Sequence, residues 1–286
     1  MTGRSVAEIA VIGGSGLYAM QELKVILEIK VKTPFGAPSD SLILGTISGV
    51  KVVFLPRHGR KHSLLPSEIN NRANMWALKS LGVKTVVSVS AVGSLRAGFA
   101  PTHFVFPDQF KDETRGRIST FFGNGIVGHV PLADPFCMAL AKMMYKEAGK
   151  LGIRSHFGGT YVCMEGPGFS TKAESYYHRK MGYSIVGMTV ATEAKLAREA
   201  GFHYAPISLV TDYDCWKEGE EVDQDKVIVT LRKNIENIRR LLVRAIPMAA
   251  KAGCHDSCAE LVKTSVFTHR ENFPPKAYKA LKLIIG

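Results

Sequence analysis

The sequence predicts an α/β fold: a single domain in which a mixed central β-sheet carries helices on both faces. Three observations lead there. Apolar strand-like runs alternate with helical segments along the chain, the order that builds layered α/β structures. Several of those runs carry Val and Ile at successive positions, the pattern of strands covered on both faces. No linker, repeat or low-complexity segment divides the 286 residues, a length within reach of one α/β unit. The domain is read as residues 1–286, with a core of about 8–245 and a helical tail over 246–286.

The strand-like runs are residues 9–14, 41–47, 50–56, 85–93, 103–110, 183–189 and 204–212. A helix is expected over 67–81, with Ser67 as its N-cap after Pro66, apolar residues at 69, 73, 76, 77 and 81, and Gly82 as its stop. Residues 132–151, 170–181, 193–200 and 224–245 read as helices in the same way. Residues 34–40 and 116–129 read as loops.

Composition narrows the class. Hydrophobic residues make up 46% and charged residues 22%, so the chain is expected to fold as a globule. No apolar run reaches the roughly 18–20 residues that a membrane span requires, and the first residues lack a secretory pattern. A cytoplasmic setting without membrane partners is the expectation. Lys and Arg number 37 against 25 Asp and Glu, a net charge of +12. The densest basic cluster, Arg57, His58, Arg60, Lys61 and His62, suits a small anion better than a nucleic acid, because aromatic residues do not interleave it. The positive field also favours the approach of an anion. Five cysteines without a CxxC pair read as reduced thiols; Cys254 and Cys258 lack a second ligand pair for zinc.

Chemistry-bearing residues gather at strand ends, where open α/β sheets bind ligands. Residues 11–18 run from a strand into Gly13, Gly14, Ser15 and Gly16, which brings backbone N–H groups near an oxyanion while Ser15 adds a hydroxyl. The spacing is neither the dinucleotide fingerprint nor a Walker loop, and a plain structural turn accounts for it equally well. After strand 50–56 come Arg57, able to grip a phosphate bidentately, and His58, a further donor. Ser90 and Ala91 add a second set of small anion-facing groups, or an ordinary strand end. Met188 and Thr189 close another strand; Thr189 offers a hydroxyl, and Met188 suits a sugar face or the core.

Asp212 and Asp214 leave the end of strand 204–212 two residues apart. If the extended backbone continues, both address one ligand edge. Apolar surroundings and mutual repulsion would then hold one of them protonated, as a proton donor. A metal site or a solvated turn would use the same pair.

Taken together, the motifs IGGSGLY, TPFGAPSD, RHGRKH, NNRANMWALK, GHVPLADPFC, EGPGFST, GMT and TDYDCWKE, in this order, resemble the 5′-methylthioadenosine branch of the trimeric purine nucleoside phosphorylase family. The resemblance spans about residues 8–245 and fades over the tail. It implies a phosphate site of Ser15, Arg57, His58, Ser90, Ala91 and Thr189. Met188 would lie against the ribose, Phe169 would flank the base, and Asp212 and Asp214 would contact adenine as the catalytic acids. Phosphate is implied as a co-substrate, with no metal or organic cofactor. The implied assembly is a homotrimer, alone or paired as a dimer of trimers, in which His129 reaches into a neighbour's site.

Branches that take 6-oxopurines carry Asn in place of Asp212 and Glu in place of Ser170, so both residues favour a 6-aminopurine. Val227 and Leu231, one helical turn apart, would wall the 5′ substituent, or serve the core. Three positions depart from the family pattern. Gln224 stands where an apolar residue is expected, which bears on the preference for methylthio over hydroxyl. Gly168 replaces a basic or polar residue, which alters the rim of the base pocket. Residues 190–193 lack a proline, which leaves Thr192 to cap the following helix.

Overall fold

The computed structural model describes residues 5–18, 20–220, 224–252 and 258–286; the side chains of Ser15, Tyr18, Gln224 and Ala252 lie outside the description. Its strands are β1 (Ile9–Gly13), β2 (Lys24–Ile29), β3 (Leu42–Ile47), β4 (Val50–Pro56), β5 (Thr85–Ser94), β6 (Phe104–Phe106), β7 (Gln109–Asp112), β8 (Ser155–Phe157), β9 (Thr160–Cys163), β10 (Ile185–Gly187) and β11 (His203–Asp212). Its helices are α1 (Ser15–Tyr18), α2 (Asn71–Ser80), α3 (Met138–Lys150), α4 (Lys172–Lys180), α5 (Val190–Glu199), α6 (Gln224–Ala252), α7 (Cys258–Lys263) and α8 (Pro275–Ile285).

All the described strands join one mixed sheet, and β5 is its spine. On one side β5 pairs in parallel with β1, which pairs in parallel with β4; on the other it runs parallel to β11 over nearly its whole length. Its last residues turn to pair antiparallel with β10. Alternate side chains of β1 enter two separate cores. Ala10 and Ile12 meet residues of α2, α5 and α8, while Ile9 and Val11 meet residues of α3 and α6. The tail is part of this packing: Leu281 and Ile284 of α8 are buried in the first core, and Trp76 Nε1 donates to the Ala280 carbonyl at 3.2 Å.

The mixed sheet with helices on both faces is the fold class expected from the sequence, and several details differ. The run 103–110 is two strands, because Pro107 and Asp108 turn the chain from β6 to β7. The helix expected over 67–81 begins at Asn71, whose N-cap is Asn70 accepting from Ala73 N at 3.1 Å; Ser67 lies in a preceding 3₁₀ turn. Helix α5 begins at Val190 with Thr189 at the N-cap position, so Thr192 is inside the helix and does not cap it. Strands β2, β8 and β9 lie outside the expected runs: β2 is at the sheet edge, with Val25, Ile26 and Leu27 exposed, while β9 is only four residues long, with Tyr161, Val162 and Cys163 buried.

The loop 116–129 is held to α5 by Glu199, which accepts from Thr120 Oγ1 at 2.7 Å and Phe121 N at 2.6 Å. Burial pushes this carboxyl up to about 7, against both hydrogen bonds. A carboxyl raised on folding contributes stability that is whole below its ordinary value of 4.5 and is lost as pH rises through about 7. Melting curves between pH 5 and 8 are therefore expected to slope downward, and Glu199→Gln is expected to flatten that slope by on the order of a few °C.

Candidate active site

The C-terminal ends of β1, β4, β5, β10 and β11 open into one cavity of about 620 Å³, closed on its far side by α6. That is the size of a small-ligand pocket. Of the residues singled out in the sequence, it brings together Arg57, His58, Ser90, Ala91, Phe169, Met188, Thr189, Asp212, Asp214, Val227 and Leu231. Ser15 opens α1 beside lining residues Gly14 and Gly16, but its side chain is outside the described residues, as is that of Gln224. Ser170 stands behind the wall: its hydroxyl lies 3.7 Å from Met164 Sδ and its carbonyl accepts from Cys215 Sγ at 3.2 Å. His129 is exposed, with its ring against Phe267, outside the cavity of its own chain.

Arg57 follows β4, and its N–H donates to the Gly13 carbonyl at 3.0 Å, a consequence of the Gly13–Pro56 register. The residue is only 2% exposed. A guanidinium this buried requires a counter-charge, and Glu193 of α5 supplies it: Nε donates to Oε1 at 2.5 Å and Nη2 approaches Oε2 at 3.4 Å. Nη2 also donates to Ser88 Oγ at 2.7 Å and Nη1 to the Val89 carbonyl at 2.9 Å. Ser88 and Tyr204 in turn donate to Glu193 Oε2, at 2.6 and 2.9 Å. The bidentate fork expected to hold a phosphate is thus occupied inside the protein; Arg57 faces the cavity with what remains of its Nη1 edge.

His58 also differs from expectation. Its Nδ1 donates to the Leu64 carbonyl at 2.8 Å, which leaves Nε2 of a neutral ring as an acceptor. Burial lowers its pKa, and Arg57 adds to the effect. His58 therefore becomes a donor toward the cavity only when it takes a second proton. His62, at φ +51°, stacks on it with centroids 4.7 Å apart.

The acid pair meets by a different route from the one the sequence suggests. Strand β11 ends at Asp212, after a bulge between Val210 and Asp212, and Asp214 takes a left-handed backbone at φ +52°. A turn, not strand alternation, brings both side chains to the cavity. Asp214 N donates to Asp212 Oδ1 at 2.8 Å, and Asp212 Oδ2 lies 2.7 Å from Thr211 Oγ1. Gly93 makes room for them: a Cβ there would lie 3.0 Å from Asp212 Oδ1 and 3.3 Å from the Asp214 Cβ. Burial raises the Asp212 carboxyl above its ordinary value, with Asp214 adding and the bonds from Thr211 and Asp214 N opposing.

Three buried polar atoms on cavity-lining residues have no hydrogen-bond partner in the protein: Ser90 Oγ, Thr189 Oγ1 and Asp214 Oδ2. Buried polar groups are rarely left so. Two are hydroxyls, one within β5 and one just after β10, and the third is a carboxylate oxygen just beyond β11.

Sequence reasoning missed Glu193, Ser88, Tyr204 and the lining residues Leu64, Leu65, Pro66 and Ile235. The signal for Glu193 was indirect: a strand-end arginine inside an apolar sheet demands a buried acid, and the helix after Met188 supplies one.

The crevice at converging strand ends thus combines buried unpartnered hydroxyls with a raised carboxyl. A sequence model of the phosphorylase superfamily matches residues 8–247. The chain is 49% identical over 284 residues to the S-methyl-5′-thioadenosine phosphorylase of Koribacter versatilis, covering 98% of this chain and 96% of that one. It is 48% identical over 281 residues to the enzyme of that name from Geobacter sulfurreducens, covering 97% and 98%. Among solved structures, a methylthioadenosine phosphorylase sourced from an antarctic soil metagenomic library superposes with a TM-score of 0.95 at 44% identity, covering 99% of this chain and 100% of that one. The methylthioadenosine phosphorylase of Schistosoma mansoni in complex with adenine superposes at 0.86 with 38% identity, covering 91% and 98%. This chain belongs to the phosphorylase superfamily.

Removing Glu193 leaves Arg57 buried and unpaired. Glu193→Ala is expected to lose about 3–5 kcal/mol of stability in urea unfolding, and Arg57→Met in the same background is expected to recover part of it.

Proposed function

We propose that this protein cleaves the N-glycosidic bond of 5′-methylthioadenosine with inorganic phosphate, releasing adenine and 5-methylthioribose 1-phosphate. The three unpartnered polar atoms around one cavity are the observation that carries this reading. Ser90 Oγ and Thr189 Oγ1 can donate to a phosphate, and Asp214 Oδ2 can accept from the 6-amino group of adenine. The names of the relatives agree with it.

In the reaction, the C1′–N9 bond breaks with its electron pair leaving on the purine. The ribosyl C1′ becomes cationic, and a phosphate oxygen forms the new bond to it. Asp212, whose carboxyl burial raises above its ordinary value, gives its proton to N7 in this reading and neutralises the leaving base. The sites for phosphate, sugar and base are fixed before the reaction, so positioning and preorganised dipoles supply most of the acceleration. In this reading Met188 packs on the ribose, Phe169 flanks the base, and Val227 and Leu231 receive the methylthio group, all on residues that line the cavity. Ser15 and Ala91 complete the phosphate cradle in this reading, and no metal or organic cofactor takes part.

We place the enzyme in the cytoplasm, as a homotrimer in which His129 of each subunit serves its neighbour. The exposed apolar side chains of Val127 and Phe267 beside His129 support such a contact. Among the described residues, no helix is long and apolar enough to cross a membrane.

The test is adenine release from methylthioadenosine across a phosphate titration; release independent of phosphate, or none, refutes the proposal. Because Asp212 must be protonated, kcat/KM is expected to fall as pH rises through its raised pKa. Asp212→Asn is expected to cost on the order of 10²–10⁴ in kcat/KM for methylthioadenosine and to shift preference toward 5′-methylthioinosine. An unchanged ratio of the two substrates counts against this account of base choice.

A further inference from the structure

One face of α6 touches both ends of the cavity. Val227, Leu231 and Ile235 all line it, and Arg239 continues the same four-residue spacing, which places all of them along a single helical stripe. Ile235 is seated on Gly16: a Cβ there would lie 2.5 Å from Ile235 Cδ1 and 2.9 Å from Cγ1. One turn on, Arg239 Nε and Nη2 both donate to the Gly16 carbonyl, at 3.0 and 2.6 Å. These are charge-assisted bonds to a neutral carbonyl, stronger than the usual kind. The opposite end of the same turn is held from the sheet, where Arg57 N donates to the Gly13 carbonyl. Gly14, between the two anchors, faces the cavity. The glycine turn is therefore clamped between β4 and α6, and the α6 side of the clamp is the helix that also walls the far end of the nucleoside.

We propose that Arg239 is a positioning residue for the phosphate half of the site, and that through it α6 couples the two substrates. A 5′ group that packs on Val227 and Leu231 fixes the helix, and the helix fixes the backbone of the Gly14–Leu17 turn around the oxyanion. The inference rests on the phosphorolysis reading above and adds to it a residue outside the cavity. Coupling of this kind is reciprocal: an oxyanion that tightens nucleoside binding is itself bound more tightly by the nucleoside complex.

The experiment compares the full-length protein with Arg239→Met, which keeps the aliphatic stem and removes both donors, and with Arg239→Lys, which keeps a charged donor. Steady-state kinetics vary inorganic phosphate and methylthioadenosine separately. Titration calorimetry measures methylthioadenosine binding with and without inorganic sulfate as an unreactive oxyanion. For Arg239→Met, KM for phosphate is expected to rise about tenfold, with KM for methylthioadenosine at saturating phosphate nearly unchanged. Sulfate is expected to tighten methylthioadenosine binding in the parent protein and to lose that effect in Arg239→Met, and Arg239→Lys is expected to restore part of both.

Ser90→Ala serves as the control that reports on the phosphate site itself. If Ser90→Ala raises KM for phosphate while Arg239→Met does not, the positioning role is refuted and the site reading stands. If neither moves it, both fail. A lowered melting temperature with unchanged phosphate KM means a structural role only and overturns the proposal. Should the methionine variant not fold, Arg239→Lys decides: a phosphate KM raised with kcat retained supports the coupling, and an unchanged value overturns it.

Discussion

The parallel register of β4, β1, β5 and β11 is the constraint from which the site follows. Gly13 lies beside Pro56, Ile12 beside Ser88, and Asp212 beside Gly93. Parallel strands in one sheet deliver their C-terminal ends to the same edge, so residues distant in sequence arrive together without any long loop. Strand β5 matters most, because it pairs with β1, β11 and β10 in turn. Its small residues, Ser90 to Gly93, form the floor on which both halves of the cavity rest. A bulky side chain at Gly93 would meet Asp212, Asp214 and Val186 together, so the glycine is required by close approach, not by backbone conformation.

The charge inside the cavity is quieter than the basic sequence suggests. Arg57 is neutralised by Glu193, and His58 is biased toward its neutral form by burial and by Arg57 itself. A permanent excess of buried positive charge would be costly without an anion present. The arrangement avoids that cost by pairing the cation within the protein; the Ser90 and Thr189 hydroxyls, buried and without a partner, are neutral donors on residues that line the cavity. A phosphate arriving in the proposed reaction would favour a second proton on His58, so the cationic donor is created when the anion that needs it is present.

The sheet, the identity of most strands and the gathering of lining residues were legible in the sequence, because buried parallel strands announce themselves as Val- and Ile-rich runs and their ends are marked by small or charged residues. Edge and short strands such as β2 and β8 were not, since their pairing is set by neighbours and their faces are not uniformly buried. Helix starts were misplaced at Ser67 and Thr192 for a related reason: the structure begins α2 at an Asn70 cap, and begins α5 after Thr189 with no side-chain cap at all. At the site, the positions of Arg57 and His58 could be read but not the state of their hydrogen bonds. Those depend on Glu193 and Leu64, which the chain brings in from 136 residues away and from a tight turn six residues on. The face of α6 that reaches Gly16 was half visible, in Val227 and Leu231, and became a continuous stripe only once Ile235 and Arg239 were placed against the glycine turn.

The surroundings of Asp212 fit a group that must lose and regain a proton. Thr211 Oγ1 lies 2.7 Å from Asp212 Oδ2 and 3.2 Å from the Val92 carbonyl, and it has a single hydrogen to give. While Asp212 is protonated, that hydrogen can remain on Val92. Were the proton to go to N7 of a base, as proposed, the hydroxyl could turn to the new carboxylate, which already accepts from Asp214 N. The carboxylate is then held by two donors without any movement of the backbone. Burial raises the Asp212 pKa, and these donors oppose the rise, the two influences a proton donor in the proposed reaction would need. An apolar pocket with no such rotor would hold the acid protonated but would resist its ionisation at the step where the C1′–N9 bond breaks.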